Sequence, residues 1–297
     1  MEPVRIGVIG GSGLYAMEGL TVLEERSVAT PFGDPSGPFV VGEIAGRRVA
    51  FLARHGAGHR LSPSEINYRA NIFAFKLLGA DRLISVSAVG SMRERYRPAE
   101  IVVPDQFIDR TRHRPDTFFG DGLVAHVSMA DPVCEELRAL LRDAAVAAGG
   151  TVHDRGTYLC MEGPQFSTRA ESELYRSWGV DVIGMTNLQE AKLAREAEMS
   201  YATLAMVTDY DCWHESEEDV EVAEVLEVLE RNAALAQEVV RRVVGEIDLG
   251  RPCPWTGSLR YAIITDPSSV PAATRERLEP IVGPYLVTEP VNGPGGE

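Results

Sequence analysis

Val4-Arg5-Ile6-Gly7-Val8-Ile9-Gly10-Gly11-Ser12-Gly13-Leu14-Tyr15 opens the chain with a short apolar run that passes straight into glycines. The run has the length of a buried strand, and the glycines with the Ser12 hydroxyl let backbone N–H groups approach an anion closely. The same letters admit a purely structural tight turn, and Gly11-x-Gly13-x-x-Ala16 fits a dinucleotide fingerprint loosely. The dinucleotide reading is the poorest of the three: Met17-Glu18-Gly19-Leu20 does not continue as a long helix, and no second strand ending in an acid follows at the usual distance.

Outward from this stretch, similar apolar runs recur at residues 49–53, 82–87, 101–103, 157–161, 180–183 and 203–207. Segments with helical spacing lie at 64–78, 132–148, 170–178, 188–198 and 220–244. Ser62-Pro63-Ser64-Glu65 and Asp131-Pro132 place a capping side chain and a proline where a helix begins. Strands alternating with helices predict an α/β fold, a single domain with a central mixed β-sheet flanked by helices. The expected organisation is a main domain over residues 1–250, a C-terminal extension over 251–290 packed on the same domain, and a flexible tail at 291–297.

The chain has 297 residues, 44% hydrophobic and 25% charged, and a formal net charge of -15. That balance excludes extended contact with nucleic acid, which is held by Lys and Arg, yet permits a small anion gathered by a few local cations. No apolar run approaches the roughly 20 residues that span a bilayer, and no basic leader precedes Ile6, so no membrane association is expected and the location read is cytoplasmic. Cys134, Cys160, Cys212 and Cys253 are widely spaced without a CxxC pair, so neither a disulfide framework nor a metal site is expected.

Three strand ends carry anion-friendly residues. After Ser12, the run 49–53 leads into Arg54-His55-Gly56, where a guanidinium fork suits a phosphate and an imidazole donates or accepts as needed. The run 82–87 leads into Ser87-Ala88-Val89-Gly90-Ser91, read as a small-residue loop with hydroxyls. In an open α/β sheet such ends gather in the ligand crevice. Glu162-Gly163-Pro164-Gln165-Phe166-Ser167-Thr168 offers an aromatic ring for a flat heterocycle, though from the residues alone Phe166 as ordinary core packing is the stronger reading. Gly184-Met185-Thr186 closes another strand with one soft apolar surface and one hydroxyl, and Glu190 lies one turn into the next helix. Thr208-Asp209-Tyr210-Asp211 follows the run 203–207. Two carboxylates at i and i+2 of an extended chain project to one side, where mutual repulsion raises one pKa and prepares a general acid; loop capping and metal binding are the competing readings.

From about Gly7 to Leu226 the chain resembles the trimeric purine nucleoside phosphorylase family, and within it the methylthioadenosine phosphorylases. The resemblance is carried by Gly10-Gly11-Ser12-Gly13-Leu14, Thr30-Pro31-Phe32-Gly33, Ala53-Arg54-His55-Gly56, Asn67-Tyr68-Arg69-Ala70-Asn71, Asp105-Gln106-Phe107-Ile108-Asp109-Arg110, Glu162-Gly163-Pro164, Ser167-Thr168-Arg169-Ala170-Glu171-Ser172 and Thr208-Asp209-Tyr210-Asp211. Ala262-Ile263-Ile264-Thr265 and Pro271 resemble the tail of its archaeal and bacterial branch. The resemblance implies the nucleoside phosphorylase fold, with phosphorolysis of 5'-methylthioadenosine to adenine and 5-methylthioribose 1-phosphate. It implies phosphate as co-substrate and no metal or organic cofactor.

It further implies phosphate held by Ser12, Arg54, His55, Ser87 and Thr186, and nucleoside held by Ala88, Gly90, Phe166 and Met185. Asp209 and Asp211 become the catalytic pair, Asp209 facing N7 and the 6-amino group. His126 comes from a neighbouring subunit of a homotrimer or homohexamer, and Val222, Val225 and Leu226 line an apolar 5' pocket. Three departures stand out: Gln189 where the family has Pro, with Asn187 beside it; Gln165 where Arg is frequent; and Cys253-Pro254-Trp255 where relatives from hot environments carry Cys-x-Cys. Rival expectations are a phosphorylase of adenosine, 6-oxopurine nucleosides or methylthioinosine, whose 6-oxo members use Asn at the place of Asp209, and a non-catalytic nucleoside-binding protein.

Overall fold

The computed structural model describes residues 3–11, 14, 17–214 and 222–286, apart from the side chains of 222–227 and 229–231. The expected flexible tail at 291–297 lies outside the described residues. Strands β1 (Ile6–Gly10), β2 (Thr21–Arg26), β3 (Phe39–Ile44), β4 (Arg47–Ala53), β5 (Arg82–Ser91) and β6 (Ile101–Val103) are followed by β7 (Gln106–Arg110), β8 (Val152–Asp154), β9 (Thr157–Met161), β10 (Val182–Gly184) and β11 (Ser200–Tyr210). The helices are α1 (Tyr68–Leu78), α2 (Glu135–Ala147), α3 (Arg169–Ser177), α4 (Asn187–Glu196), α5 (Val222–Glu246) and α6 (Ala272–Val282).

The sheet is mixed, as expected. Its order is β2-β3-β4-β1-β5-β10-β9-β7, with β11 on the other edge of β5, followed by β6 and β8. The long strand β5 organises it. β11 runs parallel along β5 from Arg82 to Ser91. The opposite edge is shared: β1 pairs only from Arg82 to Ser85, and β10 joins only at Gly90 and Ser91. Residues 86–89 therefore have one edge without a strand partner, and the sheet forks there. The reading of 87–91 as a loop is thus corrected, since the residues remain in strand geometry because β11 pairs with them throughout.

Two helix starts also differ. Ser62-Pro63-Ser64-Glu65 closes on itself, with Glu65 Oε2 accepting from the Ser62 N–H (2.9 Å) and hydroxyl (2.6 Å), which makes a turn. Helix α1 begins later, where Asn67 caps Ala70 N–H at 3.1 Å. Asp131-Pro132 likewise precedes α2 without capping it. The N–H of Cys134 is drawn to Tyr201 O at 2.8 Å, holding the chain extended until Glu135. Strands β2, β3, β7 and β8 and helix α6 have no counterpart in the periodicity reading.

Leu259, Leu278, Ile281, Val282 and Leu286 are buried in the same hydrophobic cluster as Ile6, Val49 and Leu83. Glu198 fastens this C-terminal segment, accepting from the Leu259 N–H at 2.8 Å and from Tyr285 Oη at 2.8 Å. No helix of the described residues is long and apolar enough to cross a membrane.

Candidate active site

Arg54 and Ser87, two of the expected anion residues, come together at the fork in β5. Arg54 directly follows β4, and its N–H continues the pairing onto Gly10 O at 2.9 Å. Its side chain is buried and reaches across to β5, where Nη1 donates to Val86 O (3.0 Å), a carbonyl on the unpaired stretch, and Nη2 donates to Ser85 Oγ (2.6 Å). Nε and Nη2 also donate to Glu190 of α4 at 2.5 and 3.2 Å. Burial works against the guanidinium charge, and Glu190 more than restores it, so Arg54 stays protonated. Nη1 retains one N–H with no acceptor among the described residues.

His55 is half-buried, with Nδ1 2.8 Å from Leu61 O and its ring stacked on His59 at 4.1 Å. A carbonyl only accepts, so Nδ1 carries the proton and Nε2 presents a lone pair. Burial pushes the imidazole down to about 4, keeping it neutral near pH 7. Ser87 is buried, and its hydroxyl has no hydrogen-bond partner among the described residues. An orphan hydroxyl inside a satisfied polar cluster costs free energy unless a ligand completes it.

Thr186 is the N-cap of α4, and its hydroxyl donates to Asn187 Oδ1 at 3.2 Å. Asn187, one of the unexpected residues, is a buried hub. Its Oδ1 accepts from Tyr158 Oη (3.1 Å), and its Nδ2 donates to Ser85 Oγ (3.1 Å), Tyr201 Oη (3.0 Å) and Thr203 Oγ1 (2.6 Å). Gln189, the other departure, donates to Thr111 Oγ1 (2.8 Å) and accepts from Arg114 (3.2 Å). The loop behind Thr186 is therefore held by side-chain amides. Ser12 lies outside the described residues.

The carboxylates sit at the end of the same fork. The β5–β11 register slips between Val207 and Asp209, placing Asp209 opposite Gly90. This bulge re-aims the strand just where a functional side chain is needed. A Cβ on Gly90 would stand 3.1 Å from Asp209 Oδ1 and 3.6 Å from the Cβ of Asp211, so both acids converge over that glycine. Asp209 Oδ2 accepts from the Thr208 hydroxyl at 2.6 Å. Asp211 is buried, its Oδ2 has no partner among the described residues, and its pKa is raised. The cause is desolvation, with Glu171 adding to it. Desolvation, rather than the expected repulsion from Asp209, leads the causes of the Asp211 shift.

Ala88 and Gly90 are half-exposed and share one face of β5. Met185 follows β10 and packs on Gly163, whose left-handed φ of 64° leaves no room for a side chain: a Cβ there would lie 2.5 Å from the Met185 sulfur. Beyond it Phe166 is 46% exposed, too open for core packing. His126 is exposed in a loop braced by the C-terminal segment, its N–H donating to Ala262 O at 2.8 Å, and has no described contact with the other candidate residues. Val222, Val225 and Leu226 lie on α5, their side chains outside the described residues.

Arg114 was missed in the sequence. Buried under the Met185 loop, it donates to Tyr68 Oη (3.2 Å), Met185 O and Glu162 O, and pairs with Glu162 at 3.1 Å. It lies in an aperiodic stretch, His113-Arg114-Pro115, with nothing to mark it.

The arrangement sets buried Arg54 and the unpartnered Ser87 hydroxyl on the strand whose Gly90 faces Asp209 and Asp211, with Met185 and the exposed Phe166 nearby in the chain. The chain matches the Phosphorylase superfamily over residues 5–245. It is 60% identical over 287 residues to S-methyl-5'-thioadenosine phosphorylase of Geobacter sulfurreducens, covering 96% of this chain and 100% of that protein. Among solved structures it is similar to a methylthioadenosine phosphorylase sourced from an antarctic soil metagenomic library, with a TM-score of 0.90 at 49% identity, covering 97% of this chain and 100% of that one. It is also similar to a variant of adenosine/methylthioadenosine phosphorylase from Schistosoma mansoni in complex with adenine, with a TM-score of 0.84 at 36% identity over 88% and 99% of the two chains. The chain belongs to the phosphorylase superfamily.

Proposed function

We propose that the chain is a pentosyltransferase that cleaves 5'-methylthioadenosine with inorganic phosphate, yielding adenine and 5-methylthioribose 1-phosphate. One observation carries the reading: the orphan hydroxyl of Ser87 and the acid-flanked Gly90 lie three residues apart on one strand. Three strand residues span about 10 Å, room for a ribose between an anion and a base.

Ser12, Arg54, His55, Ser87 and Thr186 hold phosphate in this reading. Arg54 offers its remaining Nη1 hydrogen, Ser87 and Thr186 offer hydroxyls, and the neutral His55 accepts from a protonated phosphate oxygen. The ribose rests on Met185, and the purine lies along Ala88 and Gly90 with Phe166 beside it. A phosphate oxygen forms a bond to C1' as the C1'–N9 bond breaks through an oxocarbenium-like transition state, and the bonding pair leaves with the purine. Protonated Asp209 delivers its proton to N7, neutralising the leaving base where charge develops, and Asp211, whose carboxyl burial pushes up from its ordinary value, assists. The chemistry needs no metal or organic cofactor.

His126 from a neighbouring copy borders the 5' substituent, and Val222, Val225 and Leu226 complete the apolar 5' pocket. The assembly is a homotrimer or homohexamer in the cytoplasm. Exposed Phe166, Tyr261 and Ile264 support such association, and light-scattering mass in solution tests it. The activity is tested by adenine release from 5'-methylthio, 5'-hydroxy and 6-oxo nucleosides with and without phosphate. Phosphate-dependent release greatest with the methylthio substrate is expected. Release that ignores phosphate, or none, overturns the reading.

A further inference from the structure

Glu190 is not itself among the expected ligands, yet its carboxylate is fully buried and accepts four hydrogen bonds. They come from Arg54 Nε (2.5 Å), Arg54 Nη2 (3.2 Å), Ser85 Oγ (3.1 Å) and Tyr201 Oη (3.0 Å). The hydroxyl donors are themselves held: Ser85 Oγ and Tyr201 Oη both lie within hydrogen-bond distance of Asn187 Nδ2, whose two hydrogens they share with Thr203 Oγ1, and a hydroxyl that accepts there keeps its own hydrogen for Glu190. The carboxylate takes the Nε/Nη2 edge of the guanidinium and leaves Nη1, which spends one hydrogen on Val86 O. A planar fork gripped along one edge cannot rotate, so the direction of the remaining Nη1–H is set before any ligand arrives.

We infer that Glu190 is a positioning residue for phosphate that acts through Arg54, with Tyr201 and Ser85 as its supports. The inference rests on the reading that Arg54 contacts phosphate. It also explains the burial of a carboxylate close to an anion site. Without Glu190 the guanidinium charge would be buried uncompensated and free to turn; with it, the cradle is neutral overall and presents a directed donor.

The test is steady-state kinetics of the full chain, varying phosphate and nucleoside separately. Glu190→Gln replaces an acceptor by an amide N–H facing Arg54, and is expected to raise the KM for phosphate by about tenfold or more while leaving the nucleoside KM within about twofold. Tyr201→Phe removes one supporting hydroxyl and should move the phosphate KM in the same direction by about two- to fivefold. It carries the test if Glu190→Gln does not fold. In an Arg54→Lys background, Glu190→Gln should add little further change. Both KM values moving together, a loss of thermal stability with phosphate KM unchanged, or a full additional penalty in the Arg54→Lys background would each overturn the inference. An unchanged phosphate KM in Arg54→Lys alone would instead remove Arg54 from the phosphate site, a result distinct from failure of the positioning role.

Discussion

The proposed phosphate end and the proposed base end of the site are built differently. Around Arg54 the polar groups are buried and bonded to one another: Glu190, Ser85, Asn187, Tyr201 and Thr203 form one connected network, and the Ser87 hydroxyl stands out as unpartnered. Around Asp209 the parts are more open: Phe166 is exposed, Ala88 and Gly90 are half-exposed, and Asp211 keeps an unpartnered oxygen despite its burial. The difference teaches where rigidity is needed. A small anion must be held at a fixed angle to C1', so its donors are preorganised. A larger nucleoside supplies surface of its own and completes the burial of the groups that bind it.

The contrast is broken most directly at the base end. Asp209→Asn should lower kcat by about 10² to 10⁴ with the phosphate KM little changed, measured by adenine release. Near-normal turnover would take the proton donor away from Asp209.

A second effect lies further along α4. Glu196, on the helix that carries Glu190, is buried and accepts from the Thr117 hydroxyl and the Phe118 N–H, each at 2.7 Å, at the root of the loop leading to His126. Burial raises its carboxyl from 4.5 to about 7; Asp116 adds to the shift, while Phe118, Thr117 and Lys192 oppose it. The folded state thus favours the protonated acid. Its contribution is fully present below the unfolded value of 4.5 and is lost as pH rises towards about 7, amounting to on the order of 3 kcal/mol. Thermal melts should show Glu196→Gln flattening this slope, and an unaltered slope would rule the contribution out.

Ser87→Ala sharpens the comparison at the phosphate end. Loss of one hydroxyl to a charged ligand costs about 1.5–3 kcal/mol, about 10- to 100-fold in phosphate KM with no change for nucleoside. The smallest effect is expected at His126. His126→Ala should raise the KM for 5'-thio nucleosides by about three- to tenfold, and an unchanged KM would exclude a shared site.

Legibility in the sequence followed burial only in part, since the buried β3, Phe39–Ile44, was also missed. Strands β6 and β9 carry their apolar runs openly and were read with the observed bounds. β2, Thr21–Arg26, is largely exposed and rich in charge, and β7, Gln106–Arg110, has only the adjacent Phe107 and Ile108 as apolar residues and none of its residues buried, so neither announces itself. Helix α6 contains Pro280, which hides its pattern. In the site, Arg54, His55, Asp209 and Phe166 were marked by position after strands. Arg114 and the hub role of Asn187 were not, because a side chain that reaches several elements leaves no periodic trace.

The residues alone marked most of the buried strands, though not β3, and the glycines, hydroxyls and acids that follow them, because these depend on local pattern and side-chain chemistry. Tertiary structure decided the rest. The fork between β1 and β10, the bulge that turns Asp209 over Gly90, and the clamp of Glu190 on Arg54 arise from pairings between residues up to 136 positions apart. Long-range register and the satisfaction of buried polar groups are properties of the packed chain, and no local stretch contains them.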